Sequence, residues 1–171
     1  MDADASRGLT DVEQIKQLKA KYCRYVDTKQ WDRLRAIFAP TVRFEGLGSA
    51  PSGATLDDFI NGISNRMKTS VSIHHCHTPE IEFIGADKAR GVWGMMDFVE
   101  WPDGPNPRET PDNRGFFGFG HYEEEYVRTP QGWRIAYLRL TRLRVDPIAH
   151  DHPKPKQGLL ANSRNWLPSE Q

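Results

Sequence analysis

Residues 71–84 read VSIHHCHTPEIEFI, and here the hydrophobic pattern changes from a helical period to an alternating one. Before Val71 apolar side chains return at three- and four-residue steps; after it they alternate with polar ones in runs bounded by turn residues. Downstream, this pattern predicts strands at about 71–84, 89–101, 114–128 and 133–145. GADK (85–88) and TPQG (129–132) are turn signals that join neighbouring strands as antiparallel hairpins. Between the second and third of these strands, PDGPNPRETPDN (102–113) contains four prolines, is too polar to bury and is expected to project as a loop. Gly115, Gly118 and Gly120 inside the third strand suggest bulges or sharp curvature. Glu123, Glu124 and Glu125 repel one another and are expected to be mostly solvated.

Upstream, LTDVEQIKQLKAKYCRYVD (9–27) has Thr10 as an N-cap with Glu13 completing a capping box, and Leu9 placed to staple onto the first turn. Val12, Ile15, Leu18, Tyr22 and Val26 then form one apolar face. A second helix, WDRLRAIFA (31–39), is stopped by Pro40, and TVRFEGLG (41–48) reads as a short strand running into a loop of small residues. Thr55 caps a third helix in which Phe59, Ile60, Ile63 and Met67 share a side. Three helices followed by long antiparallel strands give an α+β order. The expected architecture is a strongly curved, mostly antiparallel sheet wrapped over the three N-terminal helices, with a pocket at the open end. Residues 1–8 are expected to be disordered and 9–145 to form one domain. The proline-rich tail 146–171, with Leu159, Leu160, Trp166 and Leu167, reads either as loose chain or as a lid or subunit contact.

The chain has 171 residues, a length that suits one sizeable core. Lys plus Arg and Asp plus Glu balance at 23 each, so no global field favours polyanions and a nucleic-acid partner is not expected. Arg139, Arg142 and Arg144 are spread along a strand and do not gather into a basic stripe. No apolar run is long enough to cross a membrane. Cys23 and Cys76 form no CxxC pair and no export signal is apparent, so both read as reduced thiols of a cytoplasmic protein.

The cluster His74, His75, Cys76 and His77 consists of zinc-ligand residue types that also serve as acid–base groups. Side chains alternate along a strand, so His74 and Cys76 face one way and His75 and His77 the other. At most two of the four can then reach one ion, and no spaced partner supplies the remainder, so the cluster is read without a metal. His75 and His77 read as strand surface. Asp27 lies in the last turn of the first helix, where the macrodipole disfavours negative charge unless a donor or cation faces it. It is either a turn residue or the partner of such a donor, for which a histidine is well suited.

AKYCRYVDTKQWDRLRAIFAPTVRFEG (20–46) followed by SIHHCHTPEIEF (72–83) resembles the SnoaL-like group of the nuclear-transport-factor-two-like superfamily. Within it the chain looks most like the branch containing scytalone dehydratase and bile-acid 7α-dehydratase, and the resemblance runs from about residue 9 to 145. It implies a cone-shaped α+β barrel in which Asp27 and His74 form a catalytic dyad. Val26 and Gly46 stand where scytalone dehydratase carries tyrosines that hold a catalytic water. Tyr22, five residues before Asp27, is spaced as in the bile-acid enzyme, and Asp97 and Arg142 fall where that enzyme has pocket residues. A lindane dehydrochlorinase of the superfamily shares the Asp–His pair, and the common chemistry is elimination begun by proton abstraction.

The expected function is therefore that of a cofactor-independent lyase acting on a hydrophobic hydroxylated ketone or enone, such as a steroid or polyketide. His74 would take the proton, Asp27 would orient it and Tyr22 would donate a hydrogen bond to the oxyanion or leaving group. Asp97, Arg142, Trp31, Phe44, Trp93 and Phe119 are the expected substrate-binding residues; Arg142 reads equally as a solvent-facing strand residue. No cofactor is expected, and relatives imply a homotrimer or homodimer. A non-catalytic binding module and a polyketide cyclase or isomerase of the same fold are the alternatives.

Overall fold

The structure, a computed structural model, describes residues 3–156 and 158–162. Three helices, α1 (Ala3–Asp27), α2 (Trp31–Ala36) and α3 (Leu56–Met67), pack inside the curl of one five-stranded sheet. Its strands are β1 (Phe38–Glu45), β2 (Val71–Gly85), β3 (Lys88–Glu100), β4 (Gly115–Thr129) and β5 (Gly132–Ile148), in spatial order β1-β5-β4-β3-β2. The pair β1/β5 is parallel and the other three pairs are antiparallel. This is the expected α+β cone, with the sheet curled but not closed, so β1 and β2 remain edges.

The helix α1 differs from expectation at its start. It begins at Ala3, so Thr10 lies inside the helix and not at its cap. Ala3, Ala5 and Arg7 are strong helix formers, and Gly8 alone costs only about 1 kcal/mol, too little to force a start at Thr10. At the other end, Gln30 N–H donates to Tyr25 O (2.8 Å) and Lys29 N–H to Val26 O (3.2 Å), with Lys29 left-handed at φ 59°. That is a Schellman ending, which turns the chain sharply after Asp27.

The second helix ends at Ala36, and Pro40 lies within β1. Proline is tolerated there because β1 is an edge and its pairing with β5 shifts register between Phe38 and Arg43. Thr55 caps α3 as expected, accepting from Asp58 N–H while the Asp58 carboxylate accepts from the Thr55 backbone. Phe59, Ile60, Ile63 and Met67 are all buried. Phe44 and Phe59 stack with centroids 4.2 Å apart, and Phe38 meets both edge-on at 5.3 and 5.5 Å. These contacts bind α3 to β1.

Parity along the strands decides what faces the interior. On β2, Ser72, His74 and Cys76 turn inward while His75 and His77 turn out, their rings 5.9 Å apart. On β3 the odd positions Trp93, Met95, Asp97 and Val99 are inward, and on β4 the even positions Phe116 to Tyr126. The register with β4 slips between Ile135 and Tyr137, changing the buried set of β5 from Trp133 and Ile135 to Leu138 and Leu140. This bulge at Ala136 is what aims Arg142, two residues beyond Leu140, inward.

Two expectations about solvation are corrected. Glu124 is buried, because inward parity overrides repulsion between neighbours and Lys19 supplies a counter-charge, its Nζ 2.5 Å from Glu124 Oε1. The 102–113 segment does not project freely. Thr110 is buried and Glu109 pairs with Arg66 of α3 at 2.6 Å, folding the segment back over the open end of the cone. The start of the tail is also tied down: Arg114 donates to His150 O (3.2 Å) and Pro153 O (3.0 Å), and Lys154 pairs with Asp103 at 2.6 Å. Leu159 and Leu160 are exposed, whereas Trp166 and Leu167 lie outside the described residues.

Candidate active site

Asp27 and His74 come together at the junction of α1 and β2. Asp27 Oδ1 lies 2.6 Å from His74 Nδ1, Asp27 Oδ2 accepts from the His74 backbone N–H at 2.8 Å, and Ser72 Oγ donates to Oδ1 at 3.0 Å. Three donors thus converge on a carboxylate that the helix macrodipole would otherwise disfavour. A carboxylate facing Nδ1 calls for hydrogen on that nitrogen, leaving the Nε2 lone pair to the cone interior. Lys29 Nζ donates to Ser72 Oγ (3.0 Å) and Ser70 Oγ (3.2 Å). Burial pulls the Lys29 ammonium down to about 8, with Asp27 opposing the shift.

His74 is paired across the sheet with Asp97, and Asp97 with Gly118. His74 Nε2 stands 4.0 Å from Asp97 Oδ2, and Arg142 grips Asp97 with both terminal nitrogens at 2.8 and 2.6 Å. A Cβ at Gly118 would collide with both the Arg142 guanidinium and the Asp97 carboxylate, and a register shift of the kind expected from these glycines falls between Phe119 and Gly120. Burial lowers the basicity of Arg142, but its bonds to Asp97 more than compensate and the guanidinium is held more basic than usual. Asp97 is 2 % exposed and is neutralised by that pairing.

Tyr22 and Val26, one helical turn apart on α1, face the same space. Tyr22 is fully buried, its ring edge-on to Tyr122 at 5.6 Å. Burial drives both phenols well above their usual range, the negative groups around them add to this, and both remain protonated donors at neutral pH. Lys19 lies behind them, 4.2 Å from the Tyr22 centroid and 3.5 Å from that of Tyr122.

A cavity of about 60 Å³ gathers Tyr22, His74, Asp97, Tyr122 and Arg142 on one side, with Ile63, Met67, Val99 and Phe116 among its apolar walls. The Arg66–Glu109 ion pair is also part of its lining. The expected aromatic wall is placed differently. Phe44 belongs to the Phe38–Phe59 stack, Trp31 is half-buried against the core at the start of α2, and Phe119, at an odd position of β4, faces the outer surface of the sheet. Trp93 is inward but four residues from Asp97 toward the narrow end, where its indole donates to Tyr126 Oη at 2.7 Å. None of these four lines the cavity. Tyr122 and Phe116 do line it, and were legible in principle because they share parity with Gly118. Arg66 and Glu109 come from a helix end and a loop, for which spacing carries no signal. Among the described residues no group of three or more His, Cys, Asp or Glu could hold a metal ion.

The fold and this enclosed cluster define an α+β cone protein with a buried imidazole–carboxylate pair opening on a small, mixed cavity. The chain belongs to the SnoaL-like domain family, whose profile matches residues 7–139. It is 28% identical over 141 residues to "Probable cyclase FGR4" of Gibberella zeae, covering 75% of this chain and 89% of that protein. Among solved structures it is similar to a hexachlorocyclohexane dehydrochlorinase, LinA type 2 (TM-score 0.73, 20% identity, 91% of this chain and 99% of that one). A scytalone dehydratase-like protein of Novosphingobium aromaticivorans gives a TM-score of 0.70 at 15% identity over 88% of this chain and 99% of that one. At such identities these structures speak for the shared fold. No helix among the described residues is long and apolar enough to cross a membrane.

Proposed function

We propose that the protein is a cofactor-independent lyase that removes water from a hydroxylated cyclic ketone or enone. The observation that carries this reading is the 2.6 Å contact between Asp27 and His74 Nδ1, with Nε2 turned to the cavity. In the proposed step, neutral His74 takes a proton from carbon adjacent to the carbonyl, and Asp27 stabilises the imidazolium that forms. Tyr22 and Tyr122 donate hydrogen bonds to the enolate oxygen as charge develops on it. The imidazolium then returns its proton to the departing hydroxyl, so water leaves and the carbon–carbon double bond forms. Arg142 holds Asp97 as a fixed, neutralised wall that prevents a second carboxylate from competing for His74 Nε2.

The cavity's about 60 Å³ is well below the roughly 300–1,000 Å³ of ordinary ligand sites, so a substrate of this class requires the site to widen. A second reading, ring closure begun by the same proton abstraction, is favoured by the similarity to a protein named as a cyclase. A homo-oligomer is part of the proposal, since Ile73 is half exposed and Phe98 and Phe117 pair on the outer sheet face. The test is a panel of hydroxylated cyclic enones with water loss followed by ultraviolet absorbance. Turnover by the wild type and none by His74→Ala supports the lyase; a ring-closed product with His74→Ala again inactive selects the cyclase.

A further inference from the structure

A second cluster lies on the far side of the Asp27–His74 contact, away from the cavity. Cys23 is one helical turn before Asp27, and Cys76 is two residues after His74 on the same strand face. Their Sγ atoms are 3.5 Å apart, and both side chains line an outward-opening groove with Lys16, Lys19 and Arg24. The elimination proposed above uses neither thiol. Three features set this pair apart from two buried cysteines meeting by chance: they belong to different elements, their sulfurs meet, and both line a groove of about 450 Å³ that Asp27 and His74 also border. Cys76 is the more exposed of the two and Cys23 is buried.

We propose that Cys23 and Cys76 form a dithiol site that takes a peroxide as its two-electron oxidant and closes into an intrachain disulfide in the folded protein. The Cys76 thiolate attacks one peroxide oxygen; the O–O bond breaks, the sulfur becomes a sulfenic acid and, after proton uptake, water or an alcohol leaves. Cys23 then gives up its proton and attacks that sulfur, the S–O bond breaks and a second water departs. Two thiols and one hydrogen peroxide thus become one disulfide and two waters. The hydrogen bond from the Cys23 thiol lowers the pKa of Cys76 below that of an ordinary thiol, and the same bond together with burial raises that of Cys23, which fits the order of attack. Closing the gap from 3.5 Å to a bond of about 2 Å requires only a small approach of α1 and β2.

The full chain is exposed to hydrogen peroxide while folded, quenched, then unfolded in N-ethylmaleimide and weighed intact. The expected product is two hydrogens lighter than the reduced chain, takes up no maleimide, runs as a single chain and returns to the reduced mass with dithiothreitol. With dimedone present, Cys23→Ser traps the sulfenic acid on Cys76, while Cys76→Ser takes up no dimedone; Cys23→Ala and Cys76→Ala replace these variants if serine prevents folding. Two maleimides added after peroxide, a disulfide formed only between chains, or a sulfenic acid persisting on Cys76 of the wild type each overturn the proposal.

Discussion

Asp27→Asn separates the structural part of Asp27 from its electrostatic part. The carboxylate accepts from His74 Nδ1, His74 N–H and Ser72 Oγ at 2.6, 2.8 and 3.0 Å. Asparagine keeps one acceptor, which stays with the rigid backbone N–H, and turns its amide N–H toward Nδ1. The imidazole then has to carry hydrogen on Nε2, the wrong nitrogen for a base facing the cavity. Bonds to a charged acceptor exceed neutral ones by about 1 kcal/mol each, but the variant no longer has a negative charge against the end of α1, so the net stability loss is about 1–2 kcal/mol. The rate effect is larger. An imidazolium and a carboxylate with charge centres about 4 Å apart attract by about 4 kcal/mol at an effective dielectric constant near 20. Losing that from the transition state costs about 10³-fold in rate. The assay pairs turnover with nitrogen-15 spectra of the histidine ring. The wild type shows hydrogen on Nδ1 and a free Nε2, and the variant shows the reverse. A wild-type spectrum with hydrogen on Nε2, or a variant that turns over as fast as wild type, rules out this role for Asp27.

Three further outcomes follow from the same geometry. Lys29 is held at about 8, below its unfolded value near 10.5, so the folded state resists its proton and the penalty, full below pH 8, is relieved as pH rises toward 10. Wild type therefore gains about 2 kcal/mol relative to Lys29→Met between about pH 7.5 and 9.5, read from urea midpoints. Gly118→Ala drives a methyl group into the Asp97–Arg142 contact, and turnover and thermal midpoint fall together. Arg142→Met leaves Asp97 buried without its partner and costs about 3–5 kcal/mol, whereas Arg142→Met with Asp97→Asn recovers most of that loss by denaturant titration.

What the sequence revealed depended on the range of the physics involved. The switch at Val71 and the two turn signals located four strands within a few residues, because alternation is imposed by a neighbouring core. The opposite facing of His74 and His75 followed from strand geometry alone. Asp97 and Arg142 were indicated by resemblance, but what joins them is a glycine opposite Asp97 and a bulge at Ala136, and neither announces its effect in spacing. The aromatic wall was misplaced for the same reason: Phe119 is hydrophobic enough for a cavity yet sits on the outward parity of β4. Glu109 was hidden in a polar loop whose fold depends on Arg66, 43 residues earlier in the chain.

Elimination, isomerisation and ring closure would all begin with proton transfer from carbon to His74 Nε2, so the most direct measurement follows that proton. Cyclic ketones are incubated with the protein in deuterium oxide, and proton magnetic resonance records exchange at the carbon next to the carbonyl, with His74→Ala at equal folded concentration as the control. Wild type accelerates exchange above the uncatalysed rate, and His74→Ala does not. Exchange that is undiminished in His74→Ala would contradict the assignment of His74 as the base.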